Sequence, residues 1–454
     1  MTKLTYGFDF GTSNSAVALA EQGVARLLPI DPAGATPNIA PSVLFIGREG
    51  SAFIGSEAIA EFVGRNAGRE IARTRVNSGK IVSTYYGDEW VQFDADVEMP
   101  GRFFQSLKSF LRDESFEGTN IFGKFYTLEE LIATFLRVVK QRADSAAGAP
   151  VDTVVMGRPV HFSDDASKDA GAQARLLAAA KMAGFADVRL MFEPIGAALE
   201  YESTLQREEL AFVFDFGGGT LDFSVIRLGP HRARSADRSA DILSVGGVVI
   251  GGNTLDEDIM ERRLLEYFGS RAGSHTLSGN TITYPQWLLG LLRSWHSIQL
   301  LNERGTVRFL KEFRVTARHH HDEIDALLCL VQKNYGWLLF EEIERAKIEL
   351  SAETQSEITF LREAIRIREP LSRRSFERII TPRLSAIEEA LDHTLADAGV
   401  EPEQIEVVLR TGGSSLIPVV QSMLERRFGS AKVKKQEVFT SIASGLALAG
   451  ASDN

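Results

Sequence analysis

A lone cysteine, Cys329, stands among 454 residues, which excludes any disulfide within the chain and leaves packing and hydrogen bonding to hold the fold. Long apolar runs are missing as well: none approaches the roughly 18–20 residues that cross a bilayer. The first residues, Met1-Thr2-Lys3-Leu4-Thr5-Tyr6-Gly7, carry no apolar leader. Positive charge is in deficit. Against 61 Asp and Glu stand 50 Lys and Arg, a net charge of -11, so neither nucleic acid nor a membrane surface is an expected partner. Low-complexity tracts are absent apart from His319-His320-His321. These absences point to a soluble, cytoplasmic protein. What remains is an ordinary globular composition, 44% hydrophobic and 24% charged. The length suits roughly three folding units at about 150 residues each.

The organising feature is a repeated tetrapeptide. Phe8-Asp9-Phe10-Gly11 recurs as Phe214-Asp215-Phe216-Gly217, each copy closing a β-type run and followed by small or hydroxyl residues and a second such run. Each reads as strand, tight glycine-bearing turn, strand, and the pair implies two similar lobes. Between them, Val151 to Met156 reads as a strand broken by Gly157 and Pro159. Asp164 or Asp165 caps a helix that Gly184 ends, and Val188 to Phe192 forms a strand running into Glu193-Pro194 and an alanine-rich helix. Near the C-terminus, Ile405 to Leu409 is a strand, Gly412-Gly413-Ser414-Ser415 a turn and Leu416 to Phe428 a helix. Two stretches read as insertions, one from about Pro37 to Gly123 and one, mostly helical by pattern, from about Asn253 to Ser375.

Those turns suit a triphosphate. In Gly11-Thr12-Ser13-Asn14 and Gly217-Gly218-Gly219-Thr220, glycines allow the backbone to approach an anion, and an acidic chain can still offer backbone N–H groups to phosphate. Thr12, Ser13 and Thr220 add hydroxyls. Asp9 and Asp215 precede their turns, where both carboxylates can face one magnesium ion or its waters, and Asp222 points to the same side of its strand. Either hairpin alone is equally an ordinary turn; the phosphate reading comes from the pair. The Asp-Phe-Gly tripeptides do not make a protein kinase, because no glycine-rich loop, strand lysine and His-Arg-Asp loop occur in the required order.

Taken in order, Gly7 to Leu19, Gly157 to Phe162, Glu193 to Leu199, Phe212 to Ile226, Gly251 to Asp256, Ile343 to Lys347 and Val407 to Pro418 resemble the phosphate, connecting and adenosine segments of an Hsp70 nucleotide-binding domain. The Trp-bearing second insertion makes the chain most similar to the short bacterial Hsp70-like proteins of the YegD type. The resemblance implies an α/β, two-lobed actin/Hsp70-like ATPase fold, with duplicated RNase H-like lobes that each carry an inserted subdomain. On that reading 1–39, 127–205 and 435–454 form the first-lobe core and 40–126 its insertion. Residues 206–252 and 376–434 form the second-lobe core and 253–375 its insertion, leaving no peptide-binding domain.

The resemblance also assigns roles. Lys108 is expected to reach the γ-phosphate, Glu193 to orient or deprotonate the attacking water, and Asp9 and Asp215 to hold magnesium through waters. Thr12 and Thr220 would bind the terminal phosphates, with Asp222 beside them, and Pro159 would couple nucleotide state to the rest of the protein. Gly11, Ser13, Asn14, Gly217, Gly218, Gly219, Gly251, Gly412, Gly413, Ser414 and Ile417 complete the expected ATP or ADP site. On the adenosine side Glu344, Lys347 and Ser351 fit the pattern. Ile348 and Leu416 stand where the family has two arginines, which removes about 0.5–2 kcal/mol of cation–π stacking each.

The functions in competition are a slow ATPase switch that signals to a protein partner through the insertions, a nucleotide-sensing module without useful hydrolysis, and a small-molecule kinase. Outside these motifs, His319 and Glu323 have the one-turn spacing of a metal pair, although a solvated polar stretch is the preferred reading. Trp287, Leu291 and Trp295 share i, i+4 spacing, which reads as the packing face of an inserted helix or, alternatively, as a partner-docking face.

Overall fold

The computed structural model describes residues 4–21, 23–69, 71, 73–84, 87–96, 98–163, 165–232, 238–275, 281–435 and 441–452. Two compact units divide the chain. One holds Met1–Glu61, Arg102–Leu255 and Ile380–Asn454; the other holds Phe62–Gly101 and Asp256–Ile379.

The first unit is built on two sheets of matching topology. In one, β1 (Thr5–Phe10) lies antiparallel to β2 (Asn14–Glu21), which lies antiparallel to β3 (Val24–Leu27) and also pairs with the short β4 (Ile39–Pro41). On its other edge β1 runs parallel to β5 (Thr153–Arg158), and β5 parallel to β6 (Asp187–Phe192). In the second sheet β7 (Glu209–Phe216) lies antiparallel to β8 (Leu221–Leu228), and β8 to β9 (Ile242–Val248). There β7 runs parallel to β10 (Val407–Thr411), and β10 to β11 (Val433–Lys435). The order β3-β2-β1-β5-β6 therefore repeats as β9-β8-β7-β10-β11, and each Phe-Asp-Phe-Gly closes the central strand. Tyr6, Phe8 and Phe10 share one face of β1, and Phe212, Phe214 and Phe216 one face of β7, and all six are sealed from solvent.

Local signals set the helices. Thr127 and Glu130 form a reciprocal capping box at the start of α1 (Leu128–Ala147). Asp165 caps α2 (Ala166–Met182), and Asp164 lies outside the described residues. Glu193 opens α3 (Glu193–Glu202), with Pro194 in its first turn, and Pro418 opens α4 (Pro418–Phe428). The last helix, α5 (Ser441–Ser452), lies directly on β1 and crosses α3. Glycine permits both approaches. A Cβ on Gly7 would stand 2.1 Å from the Ala443 carbonyl oxygen, and one on Gly445 would stand 2.0 Å from that of Gly196.

The second unit departs from the sequence reading at two points. Its mostly helical pattern is interrupted by a hairpin, Gln355–Arg362 paired with Ile365–Ser372, whose buried Ile358, Phe360, Ile365 and Ile367 alternate with less buried residues such as Thr359, Arg366 and Arg368. Trp287 and Trp295 do not share a helix. One short helix spans Gln286–Leu291 and another starts at Trp295, so the i, i+4 stripe is not formed. Trp295 packs edge-on against Trp337 with ring centroids 4.9 Å apart, while Trp287 remains 51% exposed. His320 accompanies Glu323 at 3.1 Å, and no cluster fit for a metal occurs among the described residues. No described helix is long and apolar enough to cross a membrane.

Candidate functional site

Both glycine turns open onto one cleft. Its walls include Asp9, Gly11, Thr12, Ser13 and Asn14 from the first hairpin and Asp215, Gly217, Gly218, Gly219, Thr220 and Asp222 from the second, with Lys108, Glu193, Gly412 and Gly413 completing it. The tips meet: a Cβ on Gly219 would lie 2.9 Å from the Ser13 hydroxyl. Behind the second turn, the amides of Gly252 and Asn253 donate to the carbonyls of Gly217 and Gly218 at 3.0 and 2.8 Å. With those carbonyls engaged and the Gly217 amide donating to the Thr220 carbonyl at 3.0 Å, the amides that follow in the turn are those an anion can meet. Gly251 makes this backing fit, since a Cβ there would stand 2.2 Å from the Gly218 carbonyl oxygen.

The acidic groups converge because of strand register. Asp9 sits opposite Ala16 in the first hairpin, whereas Asp215 sits opposite Asp222 in the second, so only in the second does the aspartate before the turn face another carboxylate across the strands. The Thr220 hydroxyl donates to Asp222 at 2.9 Å. Lys108, in a 3-10 turn spanning Leu107–Arg112, is buried and donates to Glu193 at the head of α3. Burial is the main cause of raised carboxyl pKa values here. It pushes Asp9 up to about 8, helped by the charges of Glu193 and Asp215 and opposed by Lys108. Asp215 is pushed up to about 6 by burial and then by Asp222 and Glu193, and Asp222 is raised chiefly by burial. Asp9, Glu193, Asp215 and Asp222 thus share one lysine, a site short of positive charge. These carboxylates do not by themselves make a metal site, so the magnesium they suit is one carried on a phosphate ligand and reached through its waters, beside the glycine turns.

Ser414 donates to the Gly217 carbonyl at 3.4 Å, and Leu416 and Ile417 lead into α4. In the other unit Glu344, Lys347, Ile348 and Ser351 share the helix Gly336–Ala352. Glu344 and Ile348 are exposed on it, while Lys347 is turned inward with its ammonium 2.7 Å from buried Asp256. Within Gly157 to Phe162, Arg158 carries no mark in the sequence that sets it apart. That side chain is 7% exposed and gathers the carbonyls of Pro159 and Val160 together with Asp169 and Gln173. On the far side of Glu193 and Asp222 lies a second cavity of about 350 Å³, bounded by Pro159, His161 and Val245 to Val249.

A family model described as Hsp70 protein matches residues 5–276 and 320–452. The stretch between them carries Trp287 and Trp295. Matched over nearly its whole length and carrying the paired phosphate turns in order, the chain belongs to the Hsp70 family of ATP-binding, chaperone-related ATPases.

Proposed function

We propose that the chain binds magnesium-ATP or ADP across the paired hairpins and hydrolyses ATP slowly, the nucleotide state acting as a chaperone-related switch read by a protein partner. The observation that carries this reading is the convergence of both Phe-Asp-Phe-Gly turns, Lys108 and Glu193 on one cleft. Asp9 and Asp215 would hold the magnesium through waters. Magnesium bound with the triphosphate supplies charge neutralisation on its oxygens. Gly11 to Asn14 and Gly217 to Thr220 bind and orient the phosphates through amides and hydroxyls. Lys108 moves from Glu193 to the γ-phosphate, which frees the Glu193 carboxylate to orient water or take its proton. Positioning and charge neutralisation are the main demands of phosphoryl transfer, and this set of groups supplies both.

A second reading, transfer to a small hydroxyl compound, is favoured by the cavity that shares Glu193, Asp215, Thr220 and Asp222 with the phosphate cleft. Steady-state phosphate release, measured with and without candidate acceptors, tests both. Slow release without an acceptor supports the switch. Release that falls as a phosphorylated acceptor accumulates supports transfer, and no turnover with intact binding leaves a nucleotide-sensing module.

A further inference from the structure

The Arg158 guanidinium is enclosed on every side. Its Nε donates to the Pro159 carbonyl at 2.9 Å, and one terminal nitrogen donates to the Val160 carbonyl at 3.0 Å and to both Asp169 oxygens at 2.9 and 2.8 Å. The other terminal nitrogen donates to Gln173. The rings of Phe162 and Phe192 lie against it, with centroids 5.1 and 5.3 Å from the guanidinium carbon. A planar cation with a rigid fork is suited to such a site in a way that lysine is not.

The location gives this clamp a consequence. Arg158 is the register partner of Phe192 at the ends of β5 and β6, and Phe192 immediately precedes Glu193. The preceding residue, Gly157, touches Glu193 itself, since a Cβ there would stand 2.9 Å from the Glu193 Cγ. Arg158 therefore ties the end of β5, the first turns of α2 and the ring from which α3 begins into one piece, with Glu193 projecting from it. We propose that Arg158 is a positioning residue that sets the Glu193 carboxylate for hydrolysis, an inference that rests on the hydrolytic reading above. A group placed wrongly by a fraction of an ångström loses much of its effect on a reaction that depends on orientation.

The test uses the full chain in single-turnover hydrolysis, with Arg158→Met, Arg158→Lys, Glu193→Gln and the double variant Arg158→Met/Glu193→Gln. ADP affinity and melting temperature are measured beside each rate. Arg158→Met is expected to slow hydrolysis about tenfold or more, with ADP affinity held within about twofold. Arg158→Lys recovers only part of the loss. In the Glu193→Gln background Arg158→Met adds less than about twofold, because the two residues act as a unit. An unchanged rate in Arg158→Met, or slowing in the double variant that multiplies the two single effects, overturns the proposal. Should Arg158→Met fail to fold, Phe192→Leu removes the stacking without stranding a charge and is judged by the same two criteria. Absence of hydrolysis by the unsubstituted chain would sink the hydrolytic reading and this proposal with it. A hydrolysing wild type with unaffected variants sinks this proposal alone.

Discussion

Lys108 and Glu193 lie 85 residues apart and meet in the cleft as an ion pair. Nothing in the periodicity around Lys108 marks it, since a lysine on a short turn is ordinarily a surface residue, and only family resemblance brought it forward. The aspartates are a different case: Asp9 and Asp215 announce themselves by repetition, and Asp222 by its place two residues beyond Thr220. Arg158 escaped because its partners, Asp169, Gln173 and Phe192, are set by tertiary packing. Lys108→Ala and Glu193→Ala are each expected to slow single-turnover hydrolysis at least about tenfold while leaving ADP binding nearly intact, because the proposed function sets both around the γ-phosphate and its water. Equal rates in variants and wild type would detach both residues from the chemistry. The Arg158 clamp also makes a pH prediction. Burial works against the Asp169 carboxylate, but the hydrogen bonds from Arg158 and the Phe162 amide hold it below the ordinary carboxylate range. A value depressed in the folded state stabilises above the unfolded pKa of about 3.9 and loses that contribution as pH falls through the folded value. Asp169→Asn should therefore lower the melting temperature at pH 7, with the gap to the wild type narrowing as pH falls below the ordinary carboxylate range. A gap that stays constant over that fall in pH would contradict the assignment.

At the scale of elements, the two phosphate hairpins were legible because strand–glycine–strand is a local signal, and their ends fall within a few residues of those expected. The Gln355 to Ser372 hairpin was there to be read as well, in the alternation of Ile358, Phe360, Ile365 and Ile367, but the helical segments around it dominated the pattern. The Trp287–Trp295 stripe misled in the opposite direction. Its spacing is helical, yet the chain turns between Leu291 and Trp295 so that Trp295 can pack on Trp337. Supporting glycines carry the element-level prediction. Gly251→Ala would drive a methyl group into the Gly218 carbonyl, so it should weaken nucleotide binding and cost at least the roughly 1–3 kcal/mol typical of overpacking. Gly7→Ala, set back from the turn within β1, should destabilise through the α5 contact without selectively weakening nucleotide. Denaturant melts paired with calorimetry separate the two, and identical binding losses at matched stability would refute the distinction.

At the scale of the molecule, a repeated tetrapeptide implied duplicated lobes, and the two sheets of the first unit carry the same strand order around the two copies. That symmetry explains why one cleft receives two glycine turns, while the second strand of each hairpin differs, Ala16 in one and Asp222 in the other. The family match spans both copies and is interrupted between residues 276 and 320, the stretch that carries Trp287 and Trp295. The central claim is that the paired turns form a magnesium-dependent nucleotide site. Isothermal titration calorimetry of the full chain with ADP, run with magnesium, with chelator, and on Asp215→Ala, addresses it most directly. The account predicts one site that weakens about tenfold or more when either magnesium or the Asp215 carboxylate is removed. Nucleotide binding that is absent in the unsubstituted chain, or indifferent to magnesium, would contradict it.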